Sequence, residues 1–241
     1  MLLRMKNSLL LFLGAVFLLA GCRKDGGDET PPPFLSISIQ RADSNNPPTI
    51  YHIWITNQRV EKIERVSYDG TTKTETYSYF PDFVVCTSYN GTVTTYNLNR
   101  QGLCTRVEYS DGTVEDVLYN SENHVVQFGK ETFEWHDDNL VKATGYLGED
   151  SVTWDITYEG IKVNPYKNDF DWYHVGAFFF IPDLMIIGLG GLPNRELATK
   201  AVSSKGSNVI WEYSFDKKGR VKTRKEIWDE IIDIYTYSYY D

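Results

Sequence analysis

The chain has 241 residues, with 24 Lys and Arg against 33 Asp and Glu, a formal charge of −9. With no basic stripe to neutralise phosphates, nucleic acid and anionic lipid are poor partners for it. Hydrophobic residues at 41% and aromatics at 15% belong to a folded chain, and the length allows one substantial core.

Residues 1–22 read MLLRMKNSLLLFLGAVFLLAGC. Arg4 and Lys6 give a charged start, the run from Leu9 to Ala20 is apolar, and small residues follow. That layout predicts a secretory signal over 1–21, because the apolar run is shorter than the ~20 residues a spanning helix needs. Leu19-Ala20-Gly21-Cys22 resembles the lipobox of bacterial lipoproteins. The resemblance implies that Cys22 is diacylated on sulfur and becomes the acylated N-terminus. Several acyl chains, at ~0.8 kcal/mol per buried methylene, hold a protein on a membrane effectively for good. Loss of Arg4 and Lys6 leaves 22 basic against 33 acidic residues, a charge of −11.

Residues 22–33 carry charge, glycine and then Pro31-Pro32-Pro33, with no apolar periodicity, and read as a tether. Gly26-Gly27-Asp28-Glu29 imitates the signature of cyclic-dinucleotide synthases, but it stands in this linker and not on a hairpin of an α/β domain. The charged residues behind Cys22 partly resemble surface-display signals, which favours exposure at the cell surface over a periplasmic orientation.

From Phe34 to Asp241 the pattern is that of a single all-β domain. Asp69-Gly70, Asn90-Gly91 and Asp111-Gly112 are each followed by Thr and fall 21 residues apart. Such dipeptides accept φ > 0 at both central positions, so each predicts a hairpin with a type I′ turn. Asn99-Arg100-Gln101-Gly102 and Asn120-Ser121-Glu122-Asn123 mark the opposite reversals, again 21 apart, and one hairpin forms each repeat. Weaker copies carry Asp137-Asp138-Asn139 and Asp216-Lys217-Lys218-Gly219 in the turn positions. Pairing Tyr89 with Thr92 puts Phe83, Val85, Tyr96, Leu98, Leu103 and Val107 on one face. Thr95, Asn97, Arg106 and Glu108 take the other. The fold class predicted is an antiparallel meander of repeated hairpins forming a large open or barrel-like sheet. Cys86 and Cys104 come out two strands apart and about 12 Å from each other, beyond the ~7 Å bridging limit.

The rhythm breaks over residues 164–207. An apolar stretch from Val175 to Leu192 is interrupted by Pro182-Asp183 and by Gly188, Gly190 and Gly191, which argues against a spanning helix. An irregular plug or cap over the sheet's apolar face is expected, and a lid around a ligand pocket is the sharper reading.

RVEKIERVSYDGTTKTETYSY and FDKKGRVKTRKEIW resemble YD repeats, the hairpin units of large bacterial shell and toxin proteins. With the lipobox and this length, residues 34–241 are similar to a domain-of-unknown-function family of Gram-negative envelope lipoproteins with a porin-like antiparallel β fold. The resemblance implies that fold and an outer-membrane anchor. It supplies no catalytic residue, and the units are too few for encapsulation.

No nucleophile elbow, phosphate loop, zinc helix or paired-Cys motif occurs, so the expectation is a protein that is not an enzyme and carries no cofactor or metal. His124 and His136 stand beside predicted turns, where a solvated His is ordinary. His52 lies on a sheet face. His174 has Asp169 and Asp171 nearby, yet one short loop without a second cluster rarely holds a metal. Tyr166, Trp172, Tyr173 and His174 are the candidate binding residues, since aromatic faces with polar tips suit sugar rings and interfaces. A spanning barrel would need an outward apolar band, which the mixed faces lack. The expected partners are the membrane through the lipid anchor, and a saccharide or another envelope protein. The rival reading is a structural envelope lipoprotein with no small-molecule site.

Overall fold

The computed structural model describes residues 35–57, 59–147, 149–162, 188–192 and 194–240. The expected signal peptide, Cys22, the expected tether, Tyr166, Trp172, Tyr173 and His174 lie outside the described residues.

The described residues form sixteen strands and no helix. The first four are β1 (Leu35–Arg41), β2 (Thr49–Thr56), β3 (Arg59–Val66) and β4 (Thr72–Tyr79). Then come β5 (Phe83–Ser88), β6 (Val93–Leu98), β7 (Cys104–Tyr109) and β8 (Val114–Tyr119). Next are β9 (Val125–Phe128), β10 (Glu131–His136), β11 (Asn139–Leu147) and β12 (Asp150–Lys162). The last are β13 (Glu196–Ser203), β14 (Asn208–Phe215), β15 (Val221–Trp228) and β16 (Ile231–Tyr239). Each strand pairs antiparallel with the next, and β16 closes on β1 from Leu35↔Tyr239 to Arg41↔Asp233. The meander is therefore a closed barrel, which removes the edge strands an open sheet would have to protect.

Every strand contributes at least one buried apolar residue to one continuous cluster. Residues round the whole barrel can share a cluster only by pointing inward. Ile37, Ile53, Ile63, Val84, Val107, Val117, Phe133 and Val209 are all at most 7% exposed. Many of the alternate positions point outward and are polar: Thr72, Thr74, Thr76 and Ser78 on β4, Arg106 and Glu108 on β7, Lys200 on β13, Glu212 on β14, with Leu118, Val202 and Ile210 among the exposed apolar ones. Burying one Val or Leu side chain contributes roughly 1.5–3 kcal/mol. An isolated hairpin is marginal, so closure into one ring is what makes the repeats stable.

The turns differ from the sequence expectation. Gly70, Gly91 and Gly112 have φ of +80°, +80° and +87°, while Asp69, Asn90 and Asp111 are not among the residues with positive φ. Gly91 N donates to Ser88 O at 2.9 Å and Ser88 N to Thr92 O at 2.9 Å, the pattern of a type I turn closed by a glycine bulge. The Asn90 and Asp111 side chains accept from the Thr92 and Thr113 amides at 3.0 and 2.8 Å. Those hydrogen bonds favour the type I form, because an Asx side chain bonds the backbone two residues on. The type I′ geometry occurs instead at Asp137-Asp138, with φ of +50° and +60°.

The extra bulge residue shifts register by one, and one residue exchanges the faces of a strand. Tyr96 pairs with Val84, and Cys86 with Thr94. Val84 and Cys86 are therefore inside, and Phe83 and Val85 are not, contrary to the sequence reading. Tyr96 with Val107 inside, and Thr95 with Glu108 and Asn97 with Arg106 outside, agree with it. Cys86 and Cys104 are buried and form no disulfide. Burial pushes the Cys104 thiol up to about 12.

Residues 196–203, read from sequence as part of the irregular insertion, form β13 between β12 and β14. Leu197, Ala198 and Thr199 are buried in succession, and a register shift at Thr157/Tyr158 breaks the period-two pattern. Both features hide the strand from a search for alternation.

Candidate functional site

Because the strands alternate in direction, the connections fall at two ends. One, the turn end, carries the turns after β3, β5, β7, β9, β13 and β15, with the loop 42–48. The other, the insertion end, carries the turns after β2, β4, β6, β8, β10 and β14. It also carries the start of β1, the end of β16 and the long β12–β13 connection.

The described end of that connection is stitched to the rim. Leu189 is 6% exposed, and its carbonyl accepts from Cys104 N at 3.1 Å. The Tyr119 hydroxyl lies 3.0 Å from Leu189 O and 2.7 Å from Cys104 O. Leu192 N donates to Asn123 O at 3.0 Å, and Gly191 forms an isolated bridge with His124. Asn194 and Asn139 make a reciprocal clasp: Leu140 N donates to Asn194 Oδ1 at 2.7 Å, and Glu196 N to Asn139 Oδ1 at 2.9 Å. A buried acceptor removed from such a pair leaves an orphaned amide, which costs about 1–3 kcal/mol.

His124 sits beneath this clasp. It is 2% exposed, stacked on Trp135 with ring centroids 4.4 Å apart, and its Nε2 lies 3.6 Å from Asp138 Oδ1. Burial holds the imidazole pKa below its ordinary value, against the nearby Asp138 and Glu122 charges. Sequence reasoning takes His124 for a solvated turn residue. Trp135 stacks on it from 11 residues away and Gly191 bridges it from nearly 70 residues away, and a reading of the turn alone shows neither contact. His52 is on a sheet face as expected, with Nδ1 2.6 Å from Ser36 Oγ, and His136 is exposed beside its turn.

A second feature of this end was not visible in the sequence. Thr56, Asn57, Arg59, Glu61, Tyr77 and Tyr79 line a cavity of about 680 Å³ at the β2–β3 hairpin. Asn57 has φ +52°, a left-handed conformation that Asn tolerates better than most residues. Pairing passes from Trp54↔Lys62 to Ile55↔Val60, leaving Glu61 as an extra bulge residue on β3. Bulges re-aim side chains in this way. The Arg59 guanidinium stands 5.0 Å over the Tyr79 ring, and Tyr79 Oη donates to Val60 O at 3.0 Å. Burial raises the Tyr79 phenol to about 12, which keeps it neutral at physiological pH. Tyr77 Oη donates to Glu75 at 3.0 Å. The lining thus presents one cation, one carboxylate, an amide, a hydroxyl and two aromatic rings.

Two further polar groups point into the barrel. Arg224 and Glu226, 2% and 6% exposed, pair at 3.2 Å, with the Trp211 and Trp228 indoles donating to Glu226 at 3.1 and 2.7 Å. Towards the turn end, burial and the neighbouring Glu115 raise the Glu131 carboxyl to about 8, and Tyr109 Oη donates to Glu115 at 2.7 Å. Among the described residues no group of three or more His, Cys, Asp or Glu could hold a metal ion.

No protein-family model and no curated protein sequence matches the chain. Among solved structures it is similar to a porin-like protein from Bacteroides uniformis. The TM-score is 0.68 and the identity 16%, over 88% of this chain and 97% of that one. The similarity is one of fold. A porin-like protein from Bacteroides vulgatus gives a TM-score of 0.37 at 10% identity, over 87% of this chain and 99% of that one.

Proposed function

We propose that this protein is an envelope lipoprotein whose barrel is a non-catalytic binding or adhesion module, with a saccharide or another envelope protein as ligand. The observation that carries the reading is the orientation of the sheet's faces. A barrel that spans a bilayer presents an apolar band about 25 Å tall to lipid and a polar interior. This one has its apolar cluster inside and Thr, Lys, Glu and Arg outside. Such a barrel has no need of lipid around it, so attachment falls to Cys22 in the outer leaflet chemistry of a lipoprotein. The chain enters the barrel at Leu35, at the insertion end.

The test is chemical and topological. Mass spectrometry of the protein from native membranes is expected to find an acylated N-terminal Cys22. Replacing residues 1–22 by a cleavable secretory signal without a lipobox is expected to release the barrel in soluble form. A barrel that stays in the membrane after clean signal cleavage, needing detergent to leave it, would sink the proposal.

A further inference from the structure

We infer that the cavity at the β2–β3 hairpin is a subsite for an uncharged hexose ring of a saccharide, a proposal that rests on the binding-module reading above and gives it an address. Its volume of about 680 Å³ lies within the ~300–1,000 Å³ of small-molecule pockets. Three planar polar groups line it at alternate positions: the Asn57 amide, the Arg59 guanidinium and the Glu61 carboxylate. A planar fork of two donors or two acceptors matches a pair of neighbouring hydroxyls, as it matches other two-atom partners.

The balance of charge selects among ligands. Arg59 offers donors only, Glu61 acceptors only, and Asn57 both. A hydroxyl can serve all three, since it donates and accepts. An acidic sugar would gain from Arg59 and be repelled by Glu61, and a basic one the reverse. The half-buried Tyr79, one face of which Arg59 covers, adds apolar surface for the C–H side of a sugar ring; Tyr77, 7% exposed, contributes little of it. Arg59, held over Tyr79, is already ordered by that contact, which lowers the entropy lost when a ligand binds.

The test uses the full-length lipoprotein in a detergent without sugar headgroups, titrated calorimetrically with gluco-, galacto- and manno-oligosaccharides of two to six rings. At least one series is expected to bind at millimolar affinity or better. Arg59→Ala and Glu61→Ala should each weaken that binding by roughly tenfold, the scale of one lost charged hydrogen bond. Asn57→Gly keeps the left-handed backbone and should weaken it too, whereas Glu61→Gln keeps a planar fork and should retain most of it. Lys225→Ala, on the outer face of β15, should change nothing. The inference is overturned if no series binds to the folded protein, if the bound sugar ignores all three cavity variants, or if glycine and alanine bind there in its place. Failure of the membrane reading shows separately, as a missing acyl group on Cys22.

Discussion

At the turn end, Gly91 and Gly112 sit at φ +80° and +87° with nothing within 4 Å of where a Cβ would stand; at the insertion end, Gly191 sits at +84° and a Cβ would lie 2.1 Å from the Asn123 carbonyl. The same residue type in the same backbone region does two different jobs. The first two glycines serve a turn that their own neighbours define, through Asn90 to Thr92 and Asp111 to Thr113. Gly191 serves a close approach between segments nearly seventy residues apart. Gly91 and Gly112 rest on local chemistry and Gly191 on tertiary contact, so the two should respond differently to the same perturbation.

The largest expected effect is at Gly191. Gly191→Ala adds a backbone clash to the ~1–2 kcal/mol of left-handed strain, and a loss of about 3 kcal/mol or more is expected in urea unfolding. Asn194→Ala, which orphans the Leu140 amide, should cost about 1–3 kcal/mol. Gly91→Ala should cost only the backbone term, about 1 kcal/mol. If it destabilises as much as Gly191→Ala, the contrast between the two glycines is wrong.

Acidity offers a sharper comparison, because the two ends carry buried groups of opposite sign. His124, at the insertion end, has its folded pKa held below the ordinary 6.5. The unfolded chain then binds the extra proton, so this contribution is full above about pH 6.5 and is lost as the pH falls towards the lowered value. Glu131, towards the turn end, is raised from 4.5 to about 8. Its contribution is full below about pH 4.5 and is lost as the pH rises to about 8. Amide exchange at Leu192, whose N–H bonds Asn123, is expected to accelerate between pH 6.5 and 5 beyond the intrinsic pH trend, and His124→Phe should remove that excess. Glu131→Gln should raise the melting temperature more at pH 8.5 than at pH 5. The smallest effect is on the outer face: Arg106→Ala breaks an exposed pair with Glu108 at 3.2 Å and should change stability by about 0.5 kcal/mol or less.

The hairpin rhythm was legible because its signals are short-range. Asn-Gly and Asp-Gly steps mark reversals, and Thr95, Asn97, Arg106 and Glu108 stand on the polar face where alternation puts them. The turn type was not legible. Type I with a bulge and type I′ use the same Asn-Gly letters, and the one-residue difference exchanged Val84 and Cys86 for Phe83 and Val85. The strand Glu196–Ser203 escaped notice because Leu197, Ala198 and Thr199 are buried in succession, against the alternation of a regular strand. The candidate site was legible least of all. The residues proposed from composition, Tyr166, Trp172, Tyr173 and His174, lie outside the described residues. The cavity depends on a bulge at Glu61 that leaves no mark in the local pattern.

By itself the sequence determined an all-β meander with 21-residue hairpins, since a turn's own side chains and period-two alternation act within a few residues. The resemblance of Leu19-Ala20-Gly21-Cys22 to a lipobox is likewise purely local. Only the tertiary structure decided that the meander closes, that its apolar face turns inward, and that Leu189 to Asn194 clasp a distant rim over His124. Closure joins β1 to β16 across some 200 residues, and no local preference can specify a partner at that distance. The burial of one continuous cluster by all sixteen strands does.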